Sequence, residues 1–470
     1  MKVREFIREI NNGLKSKGSF VRGLSQLTVG SLIAYFIGFF FTPIITRIYS
    51  PSDYGAFAFF NSVFSVLLLC CSMGYSEALI IVQNQRKLNT LVKFLVVATV
   101  SIGAFVGLIL FIFWDGFISF FNVQSLGSNI LLLPILLVLG MLSVVADAQN
   151  VRDKLFKQNG ISKVISISSS KAFVSVYGFV IGPNPLGLII GEIINRLLLL
   201  ITLLGNNTKR FFKGLIENWK YNEIREVVIS YKNYPLYVFP NSLLTQITSH
   251  IPILLISKFY SERELGFYVL AISLLSIPVQ VIGFSMGKVF LQKTNDLFNN
   301  GNHTTKLISI SIKFYYSVLL IASLGYGIVF VWGEDIFRII AGSEWQKSGL
   351  IASFFAFTLI FQLVSTVMSP LFRVYKKERL KLAIDIVNSL ILASAVSIGL
   401  FFEIQFDLFY KLLAIVLCFN HIILISFVLK LIKSNLIKHI IAGSMLATLI
   451  LTLLLSLKEF ITLLLPGNLL

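Results

Sequence analysis

The chain has 470 residues, of which 56% are hydrophobic and only 13% are charged, and its mean hydropathy is +0.84. A soluble domain carries roughly twice this charged fraction, so the composition excludes an ordinary soluble protein. The net charge of +18 would suggest nucleic acid in a soluble chain, but its distribution indicates membrane topology instead, and we expect no nucleic-acid partner.

Apolar runs long enough to cross a bilayer recur along the chain. A bilayer core about 30 Å thick needs roughly 20 helical residues, and continuous runs favour helices over the alternating strands of a barrel. The predicted spans are 24–46, 55–82, 91–113, 129–149, 161–181, 186–204, 235–257, 266–287, 307–332, 348–371, 382–402 and 408–429. A thirteenth run covers 439–457, and the tail from Lys458 is either a short further helix or a surface segment. The predicted fold is an all-α integral membrane protein with twelve or more transmembrane helices.

The basic residues predict the orientation of these spans. Residues 1–22 hold six Lys and Arg with apolar residues at helical spacing, which favours a cytoplasmic amphipathic helix over a cleaved signal peptide. Thirty of the 40 Lys and Arg lie in segments that this topology puts inside. Because cytoplasmic loops are enriched in Lys and Arg, we predict a cytoplasmic N-terminus.

Two stretches of sequence repeat at an offset of 211 residues. Residues 47–57 and 258–268 share a basic residue, a Tyr-Ser pair, an acidic residue, a glycine and an aromatic residue at matched positions. A second echo, Leu155-Phe156-Lys157 and Leu371-Phe372-Arg373, follows the fourth and tenth spans. Six intervening helices make the two copies parallel, a plan that is common in transporters. We predict two six-helix bundles around a central cavity, with the segments 1–22 (amphipathic), 23–204 (first bundle), 205–232 (cytoplasmic linker), 233–430 (second bundle) and 431–470 (extra hydrophobic segment).

The first copy of the repeat resembles a family of membrane transporters. Its residues read Pro43-x-x-x-Arg47-x-Tyr49-x-Pro51-x-Asp53-Tyr54-Gly55-x-Phe57. This stretch is similar to the one found at the same place in Wzx-type O-antigen flippases, which are polysaccharide biosynthesis transporters of the multidrug/oligosaccharidyl-lipid/polysaccharide exporter superfamily. The resemblance covers roughly residues 20–430 through the helix count, the repeat and the basic loops.

The resemblance implies a flippase rather than an enzyme. Its substrate would be an undecaprenyl-pyrophosphate-linked oligosaccharide, moved by alternating access from the inner to the outer leaflet of a bacterial plasma membrane. Membrane lipids, a polysaccharide polymerase and a chain-length regulator are the other partners that it implies. The family usually has twelve helices, so the run at 439–457 is a departure from its pattern.

Cations inside the predicted spans are the candidates for binding the pyrophosphate, because an ionisable residue within a bilayer normally faces a cavity or a partner. These are Lys171, Arg196 and Lys313. Two structural alternatives stand beside this interpretation. Glu192 and Arg196 are four residues apart and can neutralise each other, and Lys313 lies near a helix end, where lysine can extend to the interface.

The repeat loops offer two further cations, Arg47 and Lys258, which are positioned to meet the pyrophosphate at the outer face. Their structural alternative is a turn stabilised by the pairs Arg47–Asp53 and Lys258–Glu264. Glu77 and Asp147 are the candidates for binding a coupling proton or sodium ion, since buried carboxylates often have perturbed pKa values; salt bridges are the alternative. Four prolines are candidate gate hinges, namely Pro43, Pro235, Pro240 and Pro252.

Other function classes lack their sequence signatures. The cysteines Cys70, Cys71 and Cys418 lie in apolar runs without metal-ligand spacing, so we expect neither a metal site nor a cofactor. The chain contains no Gly-rich phosphate loop for ATP. Two alternatives remain: a multidrug or small-solute antiporter of the same superfamily, and, less favoured, a membrane polymerase or glycosyltransferase, for which no predicted outer loop is long enough to hold a catalytic domain.

Overall fold

The computed structural model describes residues 20–205, 208, 211, 221–299 and 305–464. Most of the predicted amphipathic segment 1–22 and much of the predicted linker 205–232 lie outside these residues. The described chain is helical and contains no strand. Its long helices are α1 (Phe20–Ile48), α2 (Pro51–Ser72), α3 (Gln85–Phe121), α4 (Leu133–Arg152), α5 (Phe156–Val180), α6 (Pro185–Leu204), α7 (Phe239–Phe259), α8 (Glu262–Pro278, continued as Phe284–Asn299), α9 (Thr305–Ala341), α10 (Gln346–Met368), α11 (Glu378–Phe401), α12 (Phe406–Leu431) and α13 (Leu436–Leu464).

Each of the thirteen predicted runs falls on one of these helices. Within the described residues, eleven helical segments are long and apolar enough to cross a membrane, as judged by their length and composition. The two long helices outside that set are α5 and α7, which carry polar residues such as Lys171 and His250 within their spans. Polar residues are tolerated in membrane helices where they face protein, and both helices pack against neighbours, α5 on α1 and α6, and α7 on α2.

The contacts divide the chain into two compact units, Met1–Arg263 and Glu264–Leu470. In the first unit, α1 packs on α5, α5 on α6, α6 on α4, and α4 on α3. Helix α7 packs on α2 and therefore belongs to the first unit, although the sequence assigned it to the second bundle. The crossing of α1 with α5 depends on small residues, because a Cβ at Gly30 would lie 2.4 Å from Gly160 Cα.

In the second unit, α9 packs on α10, α10 on α12, and α12 on α11. Helix α13 packs on α9 and α12, so the extra hydrophobic run is an integral part of this unit. Tyr315 Oη donates to the His439 carbonyl at 3.2 Å, and Tyr316 Oη lies 3.0 Å from His439 Nδ1. Lys458 lies within α13 and its Nζ donates to Val331 O at 2.8 Å, so the residues up to Leu464 form neither a separate helix nor a loose surface segment.

Helices α3 and α9 repeat the same irregular shape. Each has 37 residues, and each has one residue with non-helical backbone angles near its C-terminal end, Phe113 (φ −120°, ψ 17°) in α3 and Trp332 (φ −114°, ψ 17°) in α9. Each is also the third long helix of its predicted repeat. The shared kink supports the internal repeat independently of the sequence echoes.

The repeat-loop motif has a local structural role in the first unit. Ser50 caps α2: its Oγ accepts from Asp53 N at 3.2 Å, while Asp53 Oδ2 accepts from Ser50 N at 3.1 Å. This is a capping box, which satisfies two backbone donors that the helix leaves open. Tyr49, which is 1% exposed, donates through its hydroxyl to Val174 O at 2.9 Å. The motif therefore starts α2 and fixes the loop before it to α5.

The four predicted hinge prolines occupy different positions. Pro43 lies inside α1 and Pro252 inside α7, whereas Pro240 lies in the first turn of α7, where a missing N–H costs least. Pro235 lies in a π-helical turn, Tyr234–Val238, that leads into α7. Single π-helical turns are frequent at functional sites, and the hinge assignment stays a prediction.

Candidate functional site

An ion pair lies within α6 of the first unit. Glu192 Oε1 accepts from Arg196 Nε at 2.7 Å, and their side chains are only 15% and 26% exposed. Asn195 Nδ2 donates to the second carboxylate oxygen of Glu192 at 3.1 Å. The i,i+4 spacing brings these side chains to one face of the helix, as the sequence predicted for the pair.

A close crossing of α5 and α6 adds a third charge, that of Lys171. A Cβ at Gly191 would lie 2.3 Å from Val174 Cγ2, so only glycine allows this approach. Ser170 Oγ donates to Gly191 O at 2.7 Å across the crossing. Lys171 directly follows Ser170, and Glu192 directly follows Gly191, so the crossing brings the backbones of Lys171 and Glu192 close together. The crossing thus places two cations and one anion on two adjoining helices of the first unit.

Two other helices complete the surroundings of Arg196. Its guanidinium carbon lies 5.3 Å from the centre of the Phe64 ring on α2, within range of a cation–π interaction. Ser143 Oγ on α4 donates to the Arg196 carbonyl at 3.0 Å. We call Phe64, Ser143, Lys171, Glu192, Asn195 and Arg196 the ionic cluster.

The ionic cluster has unused hydrogen-bonding groups. Within the described part of the chain, neither the Lys171 ammonium nor the Nη groups of Arg196 donate a hydrogen bond to protein, and the buried Asn195 Oδ1 accepts none. The cluster holds one more positive charge than negative. Donors with a surplus of positive charge suit an anion, and arginine and lysine are the usual phosphate ligands.

Asp147 on α4 lies apart from this cluster and near the start of α5. Asn159 Nδ2 donates to its carboxylate Oδ1 at 2.9 Å and to its carbonyl at 3.2 Å. The Asp147 carboxylate is therefore held by the Asn159 amide.

The prediction that Glu77 lies inside a membrane span is wrong. Helix α2 ends at Ser72 because Met73 and Gly74 adopt positive φ angles of 46° and 77°, which the predicted span 55–82 did not allow for. Glu77 falls in a separate short helix, Tyr75–Ala78, and its side chain is exposed.

The remaining predicted cations lie outside the ionic cluster. Arg47 is exposed and donates through Nη1 to Pro43 O at 2.9 Å. Lys258 Nζ lies 3.8 Å from the centre of the Phe120 ring on α3. Lys313 on α9 is exposed and has no hydrogen bond or ion pair with any described residue. Of the five predicted substrate ligands, the structure brings together Lys171 and Arg196.

Sequence reasoning missed three residues of the ionic cluster. Asn195 had a usable signal, because it lies three residues after Glu192 and so faces the same way on a helix. Phe64 and Ser143 come from other helices, and their contact with Arg196 is a matter of tertiary packing that no spacing in the sequence predicts.

The chain is similar to known proteins in both its sequence and its fold. The polysaccharide biosynthesis protein family matches residues 44–350, more than half of the chain. The chain is 22% identical over 316 residues to the succinoglycan biosynthesis transport protein ExoT of Rhizobium meliloti (strain 1021). That match covers 66% of this chain and 61% of the relative, so the chain spans less than two thirds of the relative's length.

Two solved structures have a similar fold. The lipid II flippase MurJ, in an inward closed conformation, superposes with a TM-score of 0.66 at 14% identity, covering 91% of each chain. A multidrug resistance MATE family transporter of the MOP superfamily, in an inward-facing conformation, superposes with a TM-score of 0.54 at 12% identity, covering 91% of this chain and 98% of the other. At these identities the similarity establishes the fold alone.

Proposed function

The chain belongs to the polysaccharide biosynthesis protein family, and from this premise we propose that it flips a lipid-linked oligosaccharide across a bacterial plasma membrane. It is a multi-pass membrane protein whose family and fold are those of transporters of the multidrug/oligosaccharidyl-lipid/polysaccharide exporter superfamily. Our proposal adds the substrate, an undecaprenyl-pyrophosphate-linked repeat unit of an O-antigen or a related polysaccharide, and the direction, from the inner to the outer leaflet with the N-terminus in the cytoplasm.

The observation that carries the proposal is the ionic cluster of the first unit. A diphosphate that leaves the aqueous headgroup region loses much of its hydration, which is costly for an anion. The Arg196 Nη groups and the Lys171 ammonium are donors without protein partners in the described residues, and they replace part of that hydration. Glu192 holds Arg196 in place through Nε at 2.7 Å and keeps the cluster from being doubly positive in the absence of substrate.

We place the coupling-ion site at Asp147 and the main hinge at Pro235. Asp147 is a carboxylate within α4, whereas Glu77 is exposed and outside the long helices. Pro235 lies in the π-helical turn before α7, where a change of backbone hydrogen bonding re-orients the helix that follows.

The test is a clearance assay in cells that lack this protein. Lipid-linked intermediates are labelled through their sugar, and the fraction on the inner leaflet is measured after wild type or a variant is restored. We expect wild type to clear the intermediates and Lys171→Ala and Arg196→Ala each to slow clearance about tenfold or more, because a hydrogen bond to a charged group contributes about 1.5–3 kcal/mol.

The matched control is Lys430→Ala, which removes an exposed lysine of the second unit at the end of α12, and we expect normal clearance from it. Normal clearance by both cluster variants would remove the ionic cluster from the transport route. No accumulation without the protein would overturn the flippase proposal. A multidrug or small-solute antiporter would then be the leading alternative, because the solved MATE family transporter has a similar fold.

A further inference from the structure

A cavity of about 610 Å³ lies at the start of α5 in the first unit, away from the ionic cluster. Its lining includes Lys154, Lys157, Gln158, Ile161, Ile165 and Thr202. Gln158 forms one wall, since its Nε2 donates to the carbonyls of Thr202 at 3.0 Å and Leu203 at 2.7 Å. The cavity therefore lies where the N-terminal end of α5 meets the C-terminal end of α6.

Among the described residues, the charged side chains that line this cavity are all positive. Lys154 and Lys157 are exposed, and neither has an ion pair or side-chain hydrogen bond with a described residue. No carboxylate belongs to the lining, and the adjacent Asp153 pairs with Arg152 at 3.5 Å. Two neighbouring lysines without acids form a site for an anion with more than one negative charge.

An apolar stripe runs from the cavity along α5. Ile161 is 48% exposed and Ile165 41%; Ser168 and Ala172 follow on the same face, and Val176 and Phe179 continue it with 60% and 74% exposure. Spacings of three and four residues keep such side chains on one side of a helix. A cationic cavity at the end of an apolar stripe matches a lipid with an anionic headgroup and a long hydrocarbon chain.

We propose that this cavity is the docking site for the diphosphate headgroup of the polyprenyl-linked substrate at the inner leaflet, with the polyprenyl chain lying along α5. This inference rests on the proposed function and its orientation, in which the start of α5 faces the cytoplasm. The volume of the cavity has room for a diphosphate together with the adjoining part of a sugar. The two lysines match the two phosphates better than the single phosphodiester of a phospholipid.

The docking site and the ionic cluster share a helix. Lys171 follows Lys157 by fourteen residues, which is about 21 Å along the axis and within about 40° around it. Docking thus loads the diphosphate onto the helix that carries one of the cluster's cations.

The test measures lipid binding without transport. The full chain is reconstituted in phosphatidylcholine nanodiscs that contain labelled undecaprenyl diphosphate, and the lipid retained by the protein is quantified. We expect the double variant Lys154→Gln/Lys157→Gln to retain about tenfold less. The matched control is Lys376→Gln/Lys377→Gln, because Lys376 has a positive φ of 52°, close to the 60° of Lys154, in the loop before α11; we expect it to bind like wild type.

Two competitors identify the source of the anion. A tenfold excess of phosphatidylglycerol or of inorganic diphosphate should displace little of the bound lipid, since the first has one phosphate and the second has no chain. Equal displacement by either would overturn the assignment to a polyprenyl diphosphate, and unchanged binding by the double variant would overturn the site. Binding is read in nanodiscs and clearance in cells, so a failure of docking (unchanged binding by the double variant) and a failure of flipping (no accumulation without the protein) give different results.

Discussion

Two helix crossings, one in each unit, differ in the kind of polar group that they contain. In the first unit, Glu192 and Arg196 form an ion pair on α6, and Lys171 lies on α5 at the α5–α6 crossing. In the second unit, the polar side chains that meet between α11 and α12 are amides: Asn388 Nδ2 donates to Asn420 O at 3.4 Å, and Asn420 Nδ2 donates to Asn388 O at 3.2 Å. An imidazole and a hydroxyl lie close by, with Ser365 Oγ 3.1 Å from His421 Nδ1.

This difference separates two roles of polarity within a membrane. Amides and hydroxyls hold helices together through modest hydrogen bonds, whereas charged groups are costly unless they pair or serve a ligand. The charged α5–α6 crossing is therefore suited to an anionic substrate, whereas the amide contacts between α11 and α12 are suited to holding a stable frame. The following experiments examine that division, from the largest expected effect to the smallest.

Removing the arginine of the ionic cluster should have the largest effect on stability. Arg196→Ala leaves Glu192 without its ion-pair partner in a mostly buried position, which costs about 3 kcal/mol. The comparison is Lys381→Ala in the second unit, which breaks another i,i+4 pair, Lys381–Asp385 at 2.5 Å, whose side chains are 37% and 31% exposed. That pair should contribute less than about 1 kcal/mol.

Equilibrium unfolding in mixed detergent gives both values, and a double-mutant cycle with Glu192→Gln isolates the pair energy. Equal losses from Arg196→Ala and Lys381→Ala would mean that the ionic cluster is no more buried than a surface pair, contrary to the division of roles.

Closing the approach of α5 to α6 should cost somewhat less. Gly191→Ala places a Cβ 2.3 Å from Val174 Cγ2, and overpacking of this kind costs about 1–3 kcal/mol. The control is Gly325→Ala on α9 of the second unit, where a Cβ meets nothing within 4 Å; it should be neutral or stabilising by up to about 1 kcal/mol.

Thermal unfolding of the purified variants measures the difference. The second change Val174→Ala should restore most of the stability that Gly191→Ala loses, because it removes the clashing methyl group. If Val174→Ala does not restore stability, then the close contact between α5 and α6 is not the reason that position 191 needs glycine.

Tyrosines that bond to backbone should behave alike in the two units. Tyr49 donates to Val174 O at 2.9 Å in the first unit, and Tyr326 donates to Leu275 O at 2.9 Å in the second. Each Tyr→Phe change leaves a buried carbonyl without this donor and should cost about 1 kcal/mol. Equal losses in the free energy of unfolding, measured with denaturant, would mean that the two units differ in their charged groups only. A much larger loss at Tyr49 would mean that they differ in packing as well.

The amide pair of the second unit should give the smallest effect. Asn420→Ala removes one of two bonds that are 3.2 and 3.4 Å long, and the Oδ1 atoms of both asparagines already lack partners among the described residues. Polar contacts between membrane helices average about 0.6 kcal/mol, so unfolding should shift by this amount. Clearance of lipid-linked intermediates should stay normal; a tenfold loss would assign substrate handling to the second unit as well.

The sequence predicted the positions of the helices far better than the contacts between them. Apolar runs located every long helix, because a bilayer demands continuous apolar segments, and the i,i+4 spacing predicted the Glu192–Arg196 pair. The approach of Lys171 depends on the close contact at Gly191, which arises from packing. The end of α2 before Glu77 depends on two residues with positive φ, of which Gly74 was the readable signal.

The kinks of α3 and α9 bear on the kind of membrane in which this chain can reside. From Phe94 to Phe113 the helix rises about 29 Å, and from Phe314 to Trp332 about 27 Å, at about 1.5 Å per residue. Both lengths match a hydrocarbon core about 30 Å thick. Trp114 directly after the first kink and Trp332 at the second are of the residue type that favours the headgroup level. In both α3 and α9, the segment that ends at the kink therefore matches the same hydrophobic thickness. A bilayer much thicker or thinner than this would have to deform around the protein.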